Sequence, residues 1–558
     1  MTPRLASTAL RRRVFLLGIA LACAGPVRAA SVALTDASLA ELQAAMQTGA
    51  LTAEKLTQLF LARIAAYEKA GPRLHAIITL NPRALDEARA LDAERKAKGP
   101  RGPLHGIPIV LKDLIDTADL PTTGGFYGLR DSIPPQDAEQ TKRLRAAGCI
   151  VLAKTNLSEF ASAGAVSTLG GLMHNPHALD RSPGGSSGGT GIGVAAGFAV
   201  FGLGTDTGGS IRGPASACGI VGLKPTLGLN GRGGIMPLAL SLDTVGPMAR
   251  HVADIAAALN VMAGPDPRDA ATAANAGKIP ADYLVGLKPD ALKGARLGLL
   301  RDFMKLDPGV DAVIETAVAV LRHQGATIVD VKLPRYVIGL NGDLYETIRD
   351  TEFRYQIEAY LATLPRKDLP KTLAEIVTMS EKVLLSEDGW EPNRGRLETL
   401  KRGLKAVALD AEPYRSAVNE GRKMVRENFE AIIAKEKLDA FITPTTGRPA
   451  GMLRNDSGAG RTPGDAGDAG APGGAPGGAS EGAAVSGHSR LINLSGWPEL
   501  IVPAGVTSNP VLPVTLSFIG PAFSEARLLA LGYAFEQALP ARVLPAKTPA
   551  LEGETINY

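Results

Sequence analysis

The sequence predicts an α/β fold, and three observations carry that prediction. Short apolar runs that read as buried strands recur along the chain, at 107–111, 150–153, 296–300, 327–331, 440–443, 500–502 and 514–519. Segments with helical spacing alternate with them, and strands apolar on both faces belong to parallel or mixed sheets covered by helices. The composition is that of a globular chain, 45% hydrophobic and 21% charged over 558 residues. It excludes wholesale disorder, a collagen-like chain and a polytopic membrane protein. Length alone suggests about three or four domains.

Each element has a local reason. Leu56, Phe60 and Ile64 recur every four residues behind Thr52, a candidate N-cap. A second helix is predicted over 84–97, after Asn81-Pro82, and a third segment ends at Gly148. Residues 309–323 form the helix of a strand, helix, strand unit between 296–300 and 327–331. Residues 340–435 are charged and mostly helical, and read as an inserted helical layer. Residues 455–487 are Gly, Ala and Pro with scattered Asp and Ser. Such a segment cannot offset its ordering entropy by burial, so it is predicted as a disordered insert.

The first 29 residues look like an export signal. They hold five arginines (Arg4, Arg11, Arg12, Arg13 and Arg28) and no acidic residue. An apolar run over 14–24 follows, too short to span a bilayer of roughly 30 Å. Val27-Arg28-Ala29 then resembles a cleavage site. Arg12-Arg13-Val14-Phe15-Leu16 resembles a twin-arginine signal, with an ordinary secretory signal as the alternative. The reading predicts a periplasmic or secreted protein that begins near Ala30. The match of Cys23 to a lipoprotein site is poor. Without the leader, the formal charge of +4 becomes 55 basic against 56 acidic residues. A neutral body favours neither nucleic acid nor an anionic membrane. Cys149 and Cys218 read as buried free thiols.

The chemistry concentrates in 184–226. Pro183-Gly184-Gly185-Ser186-Ser187-Gly188-Gly189 and Gly204-Thr205-Asp206-Thr207-Gly208-Gly209-Ser210-Ile211-Arg212 read as two glycine loops, joined by a small-residue helix over 190–199. Glycine lets backbone N–H groups converge on a negative oxygen. That serves a phosphate or an oxyanion beside a serine nucleophile. Neither loop ends in Gly-Lys-Ser/Thr, and neither fits a dinucleotide fingerprint. A serine with an oxyanion hole is the better reading. The serine needs a base. None of the seven histidines stands in a convincing motif, and His174-x-x-His177 lacks further metal ligands. Lys112 follows a strand directly, at the strand end where α/β sites form.

These residues resemble the amidase signature family. The matches run from Gly106-Ile107-Pro108 and Lys112-Asp113 through Lys154-Thr155-Asn156-x-x-Glu159-Phe160, both glycine loops and Gly222-Leu223-Lys224-Pro225-Thr226. They continue through Thr443-Pro444-Thr445, Asn493-x-x-Gly496-x-Pro498, Pro503-x-Gly505 and Pro513. The resemblance covers about residues 36–537. It implies one large domain over 30–558, built on a central twisted mixed sheet with helices on both faces. It implies a catalytic set of Lys112, Ser186 and Ser210, with 24 positions between the serines. Ser210 would attack the amide carbonyl, and Ser186, in a cis peptide with Gly185, would relay the proton to neutral Lys112. N–H groups of Thr207, Gly208, Gly209 and Ser210 would form the oxyanion hole. Ser187 would support the site by hydrogen bonding, and Asp206 and Arg212 as an ion pair. Lys154 and Lys224 read as structural or solvated. Asn156, Ser158 and Glu159 read as braces.

No metal or organic cofactor is implied. The implied partner is a small-molecule or peptide amide, with self-association left open, and no stable membrane insertion is expected. The phrases at 102–108, 154–159 and 443–447 look most like bacterial peptide amidases, which remove C-terminal amides. Small aliphatic or aryl amides are the alternative substrates, and a catalytically silent amide-binding protein is the alternative of another class. Export argues against the glutaminase component of a tRNA-dependent amidotransferase.

Overall fold

A computed structural model describes residues 31–162, 164–382, 394–453 and 488–558. The leader at 1–29 and the insert at 455–487 lie outside the described residues. The strands, in chain order, are β1 (Ser31–Ala33), β2 (Ile77–Leu80), β3 (Pro108–Lys112), β4 (Ile150–Thr155), β5 (Val166–Ser167), β6 (Gly171–Leu172), β7 (Phe201–Asp206), β8 (Val221–Lys224), β9 (Thr244–Ala249), β10 (Arg296–Leu300), β11 (Thr327–Val331), β12 (Ala440–Pro444), β13 (Glu499–Val506), β14 (Pro513–Ile519) and β15 (Thr555–Asn557).

Eleven of them make one mixed sheet in the order β11-β10-β12-β14-β13-β8-β9-β7-β3-β4-β2. Parallel pairing holds at two places, β11-β10-β12 and β7-β3-β4. The strands between them, and β2 at the edge, pair antiparallel. Every residue of β3, β4, β7, β8, β9, β12 and β14 is buried. Successive side chains of a strand face opposite ways. Burial of both sets therefore places cover on both faces of the sheet.

The caps explain the helices. Thr52 accepts from Lys55 N at 3.0 Å and starts the helix Ala53–Tyr67, whose Leu56, Phe60 and Ile64 are buried. Asp307 accepts from Gly309 N and Val310 N and starts Pro308–His323, which links the parallel β10 and β11. Four strands of this sheet fall outside the sequence expectation, β2, β7, β8 and β9, as do the short β1, β5, β6 and β15 beside it. The reason is clearest in β7. Its Gly204 reads as the start of a glycine loop, but both its glycines serve packing: a Cβ on Gly202 would stand 2.7 Å from Val110 Cγ2 and 2.8 Å from Thr190 Cγ2, and one on Gly204 2.8 Å from Ser187 Oγ. The glycines let the helix Gly188–Ala195 press onto the sheet. That helix begins two residues earlier and ends four residues earlier than predicted.

The charged stretch after 335 is helical, with Arg335–Thr363, Leu373–Lys382, Arg394–Leu404, Glu412–Ser416 and Arg422–Glu436. Val337, Tyr345, Ile348, Val425 and Phe429 fasten it to Leu300, Phe441 and Trp497 in a second core. Among the described residues no helix is long and apolar enough to cross a membrane.

Candidate active site

The site forms where the parallel strands β3 and β7 end side by side. Lys112 is the last residue of β3, and Thr205 and Asp206 are the last two of β7. Lys112 is fully buried, and its Nζ lies 2.6 Å from Ser186 Oγ and 2.8 Å from Thr205 Oγ1. The neighbouring carboxylate, Asp113, turns away and pairs with Lys154 Nζ at 3.1 Å. Lys112 thus has hydroxyl partners but no carboxylate within hydrogen-bonding distance. Burial pushes it from 10.5 down to about 7, against a partial upward pull from Asp206 and Asp243.

Ser186 follows a cis peptide bond with Gly185. Its carbonyl accepts from Ser158 N at 3.0 Å. Ser187 N donates to Ser210 O at 3.1 Å, which ties the two glycine loops together. Ser187 Oγ bridges to β7, donating to Thr205 O at 3.1 Å and accepting from Thr205 N at 3.3 Å. Ser210 is half-buried, as are Gly208 and Gly209 before it, while Thr207 is buried. Gly209 has φ +128°, a conformation that suits glycine.

Asp206 shapes the turn that presents Ser210. Its carboxylate accepts from Gly209 N and Ile211 N, each at 2.9 Å. Arg212 Nε and a terminal nitrogen grip the same carboxylate at 3.0 and 2.8 Å. The second terminal nitrogen reaches Glu499 at 2.5 Å. Burial would raise Asp206, but Arg212 outweighs it and holds the carboxyl far below the usual range. The Gly209 N–H is engaged with Asp206, so the predicted oxyanion set narrows to Thr207, Gly208 and Ser210. Thr207 Oγ1 donates to Asp243 at 2.5 Å, and Leu238 N and Ala239 N hold that carboxylate.

The sequence profile of the family described as Amidase matches residues 55–529. The chain belongs to the amidase signature family. This amidase is similar to a glutamyl-tRNA(Gln) amidotransferase subunit of Chloroflexus aggregans, 38% identical over 504 residues that cover 88% of this chain and 94% of the relative. It is similar to a probable amidase of Arabidopsis thaliana, 32% identical over 525 residues and 92% of each chain. Among solved structures, the peptide amidase of Stenotrophomonas maltophilia matches with TM-score 0.81 and 38% identity, over 92% of this chain and 99% of that one. The glutamyl-tRNA(Gln) amidotransferase subunit of Thermotoga maritima matches with TM-score 0.67 and 26% identity, over 92% and 98%. The fold is the amidase fold, and the protein is an enzyme that hydrolyses amide C–N bonds.

The other residues singled out in the sequence of this amidase have identifiable contacts. Lys154 and Lys224 are both buried, so neither is solvated. Lys154 braces Asp113, Thr122 and Pro121, and Lys224 donates to Trp497 O at 2.7 Å. Asn156 clamps four groups: it donates to His75 O and Gly171 O, and accepts from Leu157 N and Ser167 Oγ. Glu159 accepts from the backbone and side chain of Thr168. Cys149 and Cys218 are buried free thiols. His174 and His177 bond to the carbonyls of Leu179 and Cys218. No cluster of metal-ligating residues occurs among the described residues. Sequence reasoning missed Thr205 as a partner of Lys112, and Glu499 and Asn493 as partners of Arg212. Glu499 left a usable signal, since a lone acid heading the apolar run Leu500-Ile501-Val502 must find a buried cation.

Proposed function

We propose that Lys112, Ser186 and Ser210 carry the amide hydrolysis, and that the substrates are C-terminal carboxamides of peptides met outside the cytoplasm. The observation that carries the mechanism is the 2.6 Å contact of a buried lysine, lacking a hydrogen-bonded carboxylate, with Ser186. Neutral Lys112 takes the proton of Ser186 as Ser186 takes that of Ser210. The freed Ser210 oxygen attacks the amide carbon. N–H groups of Thr207, Gly208 and Ser210 receive the negative charge that develops on the carbonyl oxygen. The proton returns through Ser186 to the leaving nitrogen. Water then enters by the same relay and releases the acid.

The substrate reading is supported by the likeness to the Stenotrophomonas maltophilia peptide amidase, whose TM-score of 0.81 exceeds the 0.67 of the Thermotoga maritima protein. The export reading is supported by the basic and apolar character of residues 1–29. A panel of peptide amides, small aliphatic and aryl amides, glutamine and N-acylethanolamides, followed by mass spectrometry beside Ser210→Ala, tests the chemistry. Ammonia released from peptide amides by the wild type alone is the expected result. Turnover confined to small amides or glutamine discards the peptide substrate, and turnover that survives in Ser210→Ala discards the nucleophile. N-terminal sequencing of the processed chain from fractionated cells tests export, with a start near residue 30 expected.

A further inference from the structure

The turn that presents Ser210 rests on a chain of buried polar groups, and its far end is a histidine that the mechanism above does not use. Arg212 joins Asp206 to Glu499, and all three side chains are buried completely. Glu499 Oε1 accepts from Ser517 Oγ at 2.6 Å and lies 3.2 Å from His488 Nε2. A carboxylate paired with Arg212 only accepts, so the ring proton sits on Nε2. Asp206 and Glu499 together carry one more negative charge than Arg212 offsets. The His488 N–H supplies a donor at that excess, in a place water does not reach.

His488 also begins the helix His488–Ser495, whose first turn approaches the loop directly at Ser489 and, at Arg490, through Tyr345. A Cβ built on Gly209 would stand 3.2 Å from Ser489 Cβ. The Arg490 guanidinium lies over the Tyr345 ring at 4.7 Å, and a Cβ on Gly208 would stand 2.5 Å from the Tyr345 hydroxyl. Three successive residues therefore reach Glu499, Gly209 and the tyrosine against Gly208. Phe303 closes the other side of the imidazole, with ring centroids 5.1 Å apart.

We infer that His488 is a positioning residue for the nucleophile: through Glu499, Arg212 and Asp206 it fixes the Gly209 and Ile211 N–H groups on either side of Ser210, and it seats Ser489 against Gly209 and Arg490 on Tyr345, which packs against Gly208. The inference rests on the reading of Ser210 as nucleophile. The test compares His488→Gln, His488→Asn and His488→Leu in the full chain, with kcat and KM per labelled active site and the rate of Ser210 labelling by a fluorophosphonate. Gln brings an N–H to the place of Nε2, and Asn does not reach it. Asn and Leu are expected to lower kcat and the labelling rate about tenfold or more, the size of one lost hydrogen bond to a charged group. KM should hold within about twofold, and Gln should restore most of the loss. If the Leu variant does not fold, the Gln and Asn pair decides. Equal kcat in that pair overturns the inference alone, provided Ser210→Ala is inactive. Turnover that survives Ser210→Ala overturns the nucleophile and this inference together.

Discussion

Lys112 and Arg212 are equally buried, and the site uses them in opposite ways. Arg212 is surrounded by acceptors: two carboxylates and the amide oxygen of Asn493. Its charge is compensated where it forms, and the cation holds the turn below Ser210. Lys112 meets two hydroxyls, and the carboxylate next to it in the chain, Asp113, is committed to Lys154. The same desolvation that Arg212 withstands drives Lys112 down to about 7. Burial therefore leaves Lys112 able to act as the base of the proposed relay, and leaves Arg212 a permanent cation at the other end of the loop. The difference lies in the counter-charge.

The sharpest way to break this contrast is to exchange the chemistry of the base. Lys112→Met should lower kcat by about 10²–10⁴-fold in the amide assay, the range of a lost general base. Lys112→Arg should not rescue it, because a guanidinium does not release its proton. An active Arg variant would mean that position 112 acts as a cation. At the other end, Arg212→Met should cost about 3–5 kcal/mol of stability in a denaturant titration, because Asp206 and Glu499 are left buried without their partner. A loss within experimental error would show that the turn does not depend on the pair.

The two ends also respond to pH differently. kcat/KM should fall about tenfold per unit as pH drops below about 7, because protonated Lys112 cannot accept the relay proton. A profile flat from about pH 5 to 9 would remove Lys112 from the relay. The unfolded chain keeps the lysine proton that the native state has released, so stability rises with pH between about 7 and 10.5. Lys112→Met should flatten only part of that rise, since buried Lys224 is also pushed to about 7. The smallest effect is expected from Thr205→Val. It removes one hydroxyl partner of Lys112 and should lower kcat about two- to tenfold, with the pH limb shifted rather than lost.

The parts legible beforehand share a physical character. The helix Ala53–Tyr67 shows in its spacing and its cap, and β10, β11 and the helix between them show in composition alone. These elements are set by local propensity and by the period of apolar residues. β7 was hidden because Gly202 and Gly204 serve a close approach between helix and strand, which no local pattern announces. Lys154 and Lys224 illustrate the same limit. Whether a lysine after an apolar run ends in water or under the sheet depends on which strands lie beside it.

What the sequence determined by itself was the α/β class, the concentration of chemistry in the glycine and serine loops, and Lys112 at a strand end as a candidate base, while its pairing with Ser186 and Ser210 was implied by the resemblance to the amidase signature family. Each depends on residue type at short range. Only the tertiary structure decided that Thr205 joins Lys112, that the Gly209 N–H is taken by Asp206, and that Glu499, Asn493 and His488 converge below the turn from more than 270 positions away in sequence. Charge compensation acts through space at a few ångströms. Its partners are chosen by the order of the strands in the sheet, and the chain carries no local trace of that order.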